Sequence, residues 1–314
     1  MNRDFYKDIL FGLSIGDALG VPFEFKDRAQ LIANPAADME GYGTYQQPPG
    51  TFSDDSSMAF CLAEALTQGF NLSILAQHFV SWLRNRYWTA HDEVFDVGIA
   101  TSRAIRQLEM RVPPEFAGGN EESDNGNGSL MRILPLVLHI KDFPEKERFA
   151  FTQAVSSITH RHYISVVACF YYLEFARLII QGEDKMKAYK KIQSSFRNSL
   201  QQHLNPLPDL QMFNRLLEQD IFKLTSDQIF SSGYVVYTLE ASIWCLLTTN
   251  SYKEATLKAV NLGFDTDTTA SVTGGLAALV YGWKSIPRHW LQQLARYDDI
   301  ESLAERLRAA CENK

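Results

Sequence analysis

The chain has 314 residues, of which 46% are hydrophobic and 21% are charged, so it can bury a large core in one domain or two. Its 37 acidic residues outnumber its 30 basic ones, and the formal net charge of -7 excludes the basic surface that nucleic-acid binding requires. The four cysteines lie far apart without C-x-x-C spacing, which excludes a thiolate zinc site and gives no sign of a disulfide framework.

The first twenty residues, MNRDFYKDILFGLSIGDALG, contain a short apolar stretch that Gly12, Ser14 and Asp17 interrupt. A signal peptide needs a longer apolar region followed by a small-residue cleavage site. No stretch approaches the ~20 apolar residues that span a bilayer. We therefore expect a cytoplasmic protein without a membrane partner.

Helical periodicity dominates the rest of the chain. Apolar residues recur at three-to-four spacing in segments such as MAFCLAEALTQGF, SILAQHFVSWLRNRY, YISVVACFYYLEFARLII and TLEASIWCLLTTN, whereas alternating strand patterns are absent. Pro- and Gly-containing segments separate the helical ones, and no linker or repeat appears. The pattern predicts an all-α single domain over residues 1–314 with about a dozen helices. The more polar stretch around 184–230 is interpreted as a peripheral helical insertion.

Two acidic motifs open onto apolar helices: GTFSDDSSMAF at 50–60 and NLGFDTDTTASV at 261–272. A single Asp at a helix N-terminus caps it and gains ~0.3–1 kcal/mol from the helix dipole. Two neighbouring carboxylates exceed that requirement because they repel each other. Oxygen-only ligands suit Mg²⁺, Ca²⁺ or Mn²⁺, and four carboxylates balance two divalent ions. Spacing alone leaves two interpretations open, a dinuclear metal site or two cap-and-turn motifs.

A Gly-rich turn, DNGNGSLMR, spans Asp124 to Arg132 and leads into an apolar segment. Exposed amides at a helix N-terminus bind phosphate oxygens, so the turn is a candidate phosphate site. It lacks the Lys-Ser/Thr of a Walker A motif. Taken alone, the pattern is more typical of a flexible turn than of a phosphate site.

Six motifs, in the same order between Leu10 and Trp283, resemble the ADP-ribosylglycohydrolase family. They are FGLSIGDALGVPFEF, GTFSDDSSMAF, FDVGIATSRAI, GNGSLMRILPL, ITHRH and SGYVVYTLEASIW with AVNLGFDTDTTASVTGGLAALVYG. The resemblance implies a compact all-α fold with two Mg²⁺ or Mn²⁺ ions in a cleft. It also implies hydrolysis of an N- or O-glycosidic bond at the ribose of an ADP-ribosylated side chain.

Metal ligands are implied at the two acidic motifs. By position they are Ser53, Asp54, Asp55, Asp265, Asp267 and Thr268. Phe264 departs from the family pattern, which usually has Gly before the first Asp of the second motif. A bulky residue there predicts either a narrower cleft or a different backbone path.

Three acids are candidates for the general acid or base, namely Asp55, Asp96 and Glu24. Glu24 has the alternative of a solvated loop acid, and Asp96 that of a helix N-cap. Asp17 is expected to cap or brace the first helix. The resemblance further implies that substrate contacts come from Asn127, Gly128, Ser129 and His160.

The expected substrate is an ADP-ribosylated protein, and the motifs most resemble the arginine-directed members. ADP-ribosylserine and small ADP-ribose conjugates remain alternatives. Two rivals belong to other classes: a non-catalytic ADP-ribose binder, and an immunity protein that acts on or occludes an ADP-ribosylating toxin. Loss of a metal carboxylate would favour the binder, yet all four are present. A neighbouring gene for a transferase would favour the immunity protein.

Overall fold

The protein was analysed as a computed structural model that describes residues 3–312. Sixteen α-helices form within these residues. They are α1 (Phe5–Gly20), α2 (Arg28–Ala33), α3 (Asp54–Thr67), α4 (Leu72–Asn85), α5 (Ile99–Glu109), α6 (Pro114–Ala117), α7 (Leu136–Ile140), α8 (Glu145–Ser157), α9 (Tyr163–Ile180), α10 (Lys185–His203), α11 (Asn214–Leu217), α12 (Val235–Leu247), α13 (Tyr252–Val260), α14 (Thr266–Tyr281), α15 (Arg288–Gln293) and α16 (Tyr297–Glu312).

The all-α prediction is confirmed. Eleven of the helices have nine residues or more, and the excess over a dozen comes from short helices that periodicity cannot reveal. No β-strand forms within residues 3–312, where the only strand-like pairings are two isolated bridges. None of the four cysteines, all within residues 3–312, forms a disulfide, and Cys61, Cys169 and Cys245 are buried in the core.

The centre of the fold is a backbone contact between α1 and α14. A Cβ atom on Gly12 would lie 2.6 Å from the carbonyl oxygen of Gly274, and one on Gly16 would lie 2.1 Å from that of Ala270. One on Gly20 would lie 2.3 Å from the Cα of Asp267. Successive glycines toward the C-terminus of α1 contact residues progressively closer to the N-terminus of α14, so the two helices are antiparallel. The last turn of α1 therefore adjoins the N-terminus of α14.

Helix α9 passes through the interior. It is long and apolar enough to cross a membrane by length and composition alone, and 83% of it is buried within the protein. Such burial is typical of the core helix of a globular domain. Its neighbour α10 opens the segment predicted as an insertion, and its Tyr189, Phe196 and Leu200 are buried. No residue of this segment lines the cavity described below. Its status as an insertion stays a prediction.

The α1–α14 contact yields a stability prediction. Gly16→Ala should destabilise the protein by at least about 3 kcal/mol, since the new methyl group meets backbone that cannot move aside. The control is Gly69→Ala, where the added methyl meets nothing within 4 Å and only the left-handed backbone, at φ +87°, resists it. We expect that control to cost about 1–2 kcal/mol. Urea unfolding in EDTA measures both, and equal losses would contradict the close packing.

Candidate active site

The first acidic motif forms the N-terminus of α3. The Ser53 hydroxyl donates to Asp55 Oδ2 (3.1 Å) and accepts from the Asp55 backbone N–H. Asp17 reaches this end of α3 from α1, and its carboxylate accepts the backbone N–H groups of Ser53 (2.9 Å) and Ser56 (3.0 Å). The amides left unpaired at a helix start thus find a partner in another helix. Asp17 therefore caps α3 rather than the first helix, which corrects the sequence-based expectation.

The second acidic motif forms the N-terminus of α14, directly beside the first. The Thr268 hydroxyl donates to Asp55 Oδ2 across the two helix ends (3.2 Å). Asp265 precedes the helix and accepts a hydrogen bond from the Asn127 side-chain amide (2.7 Å). That amide also donates to the Thr238 hydroxyl (2.9 Å), which fixes its orientation. The two motifs, more than two hundred residues apart in the chain, form one site.

Two loops add Glu24 and Asp96 to the acids of the two helix N-termini. One oxygen from each lies within 4.8 Å of the other and of an oxygen of Asp267. A second group with the same spacing contains Asp17, Asp55 and Asp267. Asp267 therefore belongs to both groups.

The acidic cluster is defined here as seven carboxylates that act on one another electrostatically. Its members are Asp17, Glu24, Asp54, Asp55, Asp96, Asp265 and Asp267. Within residues 3–312 no lysine, arginine or histidine forms an ion pair with any of them. Four of their buried oxygens have no hydrogen-bond partner: Glu24 Oε2, Asp55 Oδ1, Asp265 Oδ1 and Asp267 Oδ2. Orphaned carboxylate oxygens in a dry site are costly unless a cation binds them. The donor set, carboxylate and hydroxyl oxygen without sulfur or imidazole, fits a hard divalent cation.

Burial and mutual repulsion act in the same direction on these acids. Burial, and next the charge of a neighbouring carboxylate, raises the pKa of Asp54, Asp55 and Asp267 well above the ordinary value. Burial also raises the pKa of Asp265 to about 6. For Glu24, burial followed by the charge of Asp96 raises the pKa to about 9. Without a cation, burial and repulsion therefore favour the protonated forms of these acids.

The Gly-rich turn forms a wall of the cleft, and two backbone hydrogen bonds tie it to the segment at 233–235. The Asn127 backbone N–H donates to the Gly233 carbonyl (3.0 Å), and the Val235 N–H donates to the Asn125 carbonyl (3.0 Å). His160 packs behind the turn, where a Cβ atom on Gly128 would lie only 2.8 Å from its ring. Glycine at 128 is thus required by the imidazole and not by backbone conformation.

These elements enclose a cavity of about 330 Å³, which lies within the usual range for small-molecule sites. Eight of the predicted site residues line it: Glu24, Asp54, Asp96, Asn127, Gly128, His160, Asp265 and Thr268. Ser53, Asp55 and Asp267 are buried beside this lining. The predicted ligands thus form one continuous site, although their individual roles stay predictions.

Ser129 is the predicted substrate contact that the structure does not bring to the cleft. Its side chain is fully buried, and its hydroxyl accepts a hydrogen bond from Ser156 (3.0 Å) beside the Cys169 thiol. The short helix Asn127–Ser129 turns the hydroxyl inward, away from the cavity. Neither its position nor its partners support a contact with substrate.

Phe264 has a left-handed backbone conformation, and a path different from that of its relatives stays a prediction. Its φ is +64°, the left-handed conformation that glycine adopts most readily. Backbone hydrogen bonds hold it there, from the Phe25 N–H to the Phe264 carbonyl (2.7 Å) and from the Phe264 N–H to the Lys26 carbonyl (2.7 Å). The ring is 48% exposed and does not line the cavity.

Tyr45 is a site residue that the sequence did not reveal. Its hydroxyl donates to Asp96 Oδ1 (2.8 Å), and its ring packs against Phe95 with centroids 4.9 Å apart. It lies in a loop without periodicity, so no pattern marks it. The sequence did contain a signal for Asp17, because this acid lies within an apolar helix. An acid that is fully buried there requires a partner.

The described residues thus form an all-helical fold with an acidic, oxygen-only cleft beside a Gly-rich turn. The chain matches the family model for ADP-ribosylglycohydrolase over residues 2–314. It is 32% identical over 303 residues to the ADP-ribosylarginine hydrolase Tri1 of Serratia proteamaculans, covering 96% of this chain and 78% of that protein. It is 30% identical over 289 residues to the ADP-ribosyl-[dinitrogen reductase] glycohydrolase of Rhodospirillum rubrum, covering 90% of this chain and 87% of that protein.

A solved structure described as an ADP-ribosylglycohydrolase-related protein complex superposes with a TM-score of 0.82 and 29% identity, covering 98% of both chains. The protein belongs to the ADP-ribosylglycohydrolase family. Members hydrolyse glycosidic bonds of ADP-ribose, and the family is metal-dependent.

The acidic cluster yields a prediction that does not depend on turnover. Burial and the neighbouring carboxylates raise the pKa of Asp267 on folding, so the metal-free protein loses stability as pH rises above the ordinary pKa of an aspartate. Asp267→Asn should therefore leave Tm in EDTA unchanged or higher. The rise in stability on adding Mg²⁺ or Mn²⁺ should shrink, by about 1.4 kcal/mol for each tenfold loss of cation affinity. Thermal melts with and without the cation measure both effects.

The matched control is Asp142→Asn, which removes an exposed carboxylate that pairs with Lys141 on the surface. We expect its metal-induced shift to equal that of the wild type. An undiminished shift in Asp267→Asn would leave that acid as a first-turn residue of α14 without a role in metal binding.

Proposed function

We propose that the protein hydrolyses the N-glycosidic bond between ADP-ribose and an arginine side chain of a modified protein, with two Mg²⁺ or Mn²⁺ ions as cofactors. One observation carries the proposal: four buried carboxylate oxygens without partners converge from two helix N-termini and a loop, next to a cavity walled by a Gly-rich turn. Arginine is preferred because the Serratia relative named above is an ADP-ribosylarginine hydrolase.

The proposed metal-binding residues are those of the two helix N-termini. Asp55 and Asp267 are fully buried and each keeps one unpartnered oxygen, while Asp54, Asp265 and Thr268 face the cavity. Bound there, divalent cations would neutralise the cluster, bind the ribose hydroxyls and activate water. Ser53 orients Asp55, and Asn127 orients Asp265, so each ligand would be held by a hydrogen bond from a neighbour.

Glu24 and Asp96 are the proposed acid–base pair. Unlike Asp55, both line the cavity, and the Tyr45 hydroxyl fixes Asp96 within reach of Glu24. In hydrolysis the bond from the anomeric carbon to the guanidine nitrogen breaks, and a water oxygen takes its place. One carboxylate accepts the proton of that water, while the leaving nitrogen takes up a proton from a carboxyl group. The remaining negative charges stabilise the oxocarbenium character of the transition state.

The first test concerns the cofactor and the substrate together. Release of ADP-ribose from an arginine-modified peptide should stop in EDTA and return with Mg²⁺ or Mn²⁺, whereas Zn²⁺ should serve poorly without His or Cys ligands. A serine-modified peptide is the comparison substrate, and we expect slower release from it. Full activity after metal removal would refute the cation mechanism, and faster release from serine would reassign the substrate.

The second test separates acid–base residues from metal ligands. Glu24→Gln should lower kcat by about 10²–10⁴ because it removes a group that transfers a proton. Its metal-induced thermal shift should stay closer to that of the wild type than the shift of Asp267→Asn. Asp142→Asn again serves as the charge-matched control, with unchanged kcat. Wild-type turnover in Glu24→Gln would exclude Glu24 from proton transfer.

A further inference from the structure

His160 contacts the cleft with one side of its ring and the protein interior with the other. Its Nδ1 lies 2.8 Å from the Thr159 hydroxyl oxygen, and the residue is only 2% exposed. On the opposite side, Nε2 faces the Gly-rich turn, where a Cβ atom on Gly126 would lie 3.5 Å and one on Gly128 3.4 Å from it. Within residues 3–312 no protein group hydrogen-bonds this Nε2. The cleft side of the ring is therefore available to a ligand.

The hydrogen on the Thr159 hydroxyl decides which ring nitrogen carries the proton. The Arg132 Nη2 group donates to Thr159 Oγ1 (2.8 Å), so this oxygen is already an acceptor. A hydroxyl has one hydrogen to donate. In the part of the chain that the structure describes, Nδ1 of His160 is the one acceptor recorded for it, and Thr159 is fully buried. A proton on Nδ1 would leave that hydrogen without an acceptor inside the protein.

The direction of the hydrogen bonds from Arg132 through Thr159 to His160 is fixed at Arg132. Arg132 is completely buried and forms no ion pair with an acid among residues 3–312. It also donates to the carbonyl oxygens of Ser129 (3.4 Å) and Val155 (3.2 Å). Burial lowers its pKa to about 10, which leaves the guanidinium charged and donating at neutral pH. Burial, and next the charge of Arg132, lowers the pKa of His160 to about 3, so the imidazole is neutral.

We propose that Arg132 and Thr159 are positioning residues that hold His160 in the neutral tautomer with its proton on Nε2. The cleft then presents a fixed, uncharged hydrogen-bond donor beside the Gly-rich turn, matched to an oxygen acceptor of the ADP-ribosyl group. The identity of this ligand rests on the proposed function, whereas the tautomer does not. The opposite tautomer would direct a lone pair at the same oxygen and weaken binding.

The experiment compares three variants of the full chain with the wild type and uses a fourth to assign signals. Thr159→Val keeps the branched shape but removes the hydroxyl, and Thr159→Ser restores it. Thr152→Val is the matched control, because the Thr152 hydroxyl is equally buried but bonds only to the Arg148 carbonyl of its own helix. Two measurements are made on each: the ¹⁵N shifts of the His160 ring, assigned with His160→Gln, and the Kd of ADP-ribose with Mg²⁺ present.

In the wild type and in Thr152→Val we expect a protonated Nε2 and an Nδ1 that accepts a hydrogen bond. In Thr159→Val the Nδ1 signal should lose the shift of a hydrogen-bond acceptor, and the Kd of ADP-ribose should rise about five- to tenfold. Thr159→Ser should return both to wild-type values. A protonated Nδ1 in the wild type, or unchanged ADP-ribose binding in Thr159→Val, would overturn the proposal. If the wild type binds no ADP-ribose, the proposed function fails, and the ring shifts still decide the tautomer.

Discussion

The backbone contact between α1 and α14 is the constraint on which the site depends. Glycines at 12, 16 and 20 let α1 approach α14 until atoms of the two main chains would touch any added Cβ. That approach brings the end of α1 to the start of α14, where the Thr266 hydroxyl donates to the Gly20 carbonyl (2.8 Å). Because Asp17 lies in the same last turn of α1 and caps α3, one close helix pair places both acidic motifs side by side.

Helix capping alone does not account for the seven carboxylates of the acidic cluster, and the reason is electrostatic. Each helix N-terminus contributes only about half a positive charge, which two helices cannot balance against seven carboxylates. Hydrogen bonds from serine, threonine and asparagine satisfy some oxygens, yet four buried ones remain without partners. The buried guanidinium of Arg132 adds positive charge nearby but forms no ion pair with the cluster. The folded protein thus retains an excess of negative charge that suits hard cations and a cationic transition state.

The sequence predicts the helices and the two acidic motifs well because both follow local rules. Three-to-four spacing marks the helices, and hydroxyl–acid pairs mark helix starts wherever they occur. What local rules cannot supply is the pairing of distant elements. The partner of Asp17 is a helix end thirty-six residues away, and Tyr45 lies in a loop without a period. The inward rotation of Ser129 depends on a single turn of 3₁₀-helix, which sequence patterns do not resolve.

Of the ten non-glycine residues with a left-handed φ within residues 3–312, three lie at or next to the cleft. Phe25, Asp96 and Phe264 all adopt left-handed φ values, of +63°, +53° and +64°, that cost a non-glycine residue about 1–2 kcal/mol each. Phe25 and Phe264 are tied by backbone hydrogen bonds, and Asp96 is tied by the Tyr45 hydroxyl. Such conformations persist only where surrounding contacts impose them, and they cluster at functional sites. Here they place Glu24 and Asp265, the chain neighbours of Phe25 and Phe264, at the cavity. Glycine at 264 would relieve the strain but also loosen the loop that presents Asp265. A phenylalanine held at this angle therefore still allows the second acidic motif to enter its helix at the position the cluster requires.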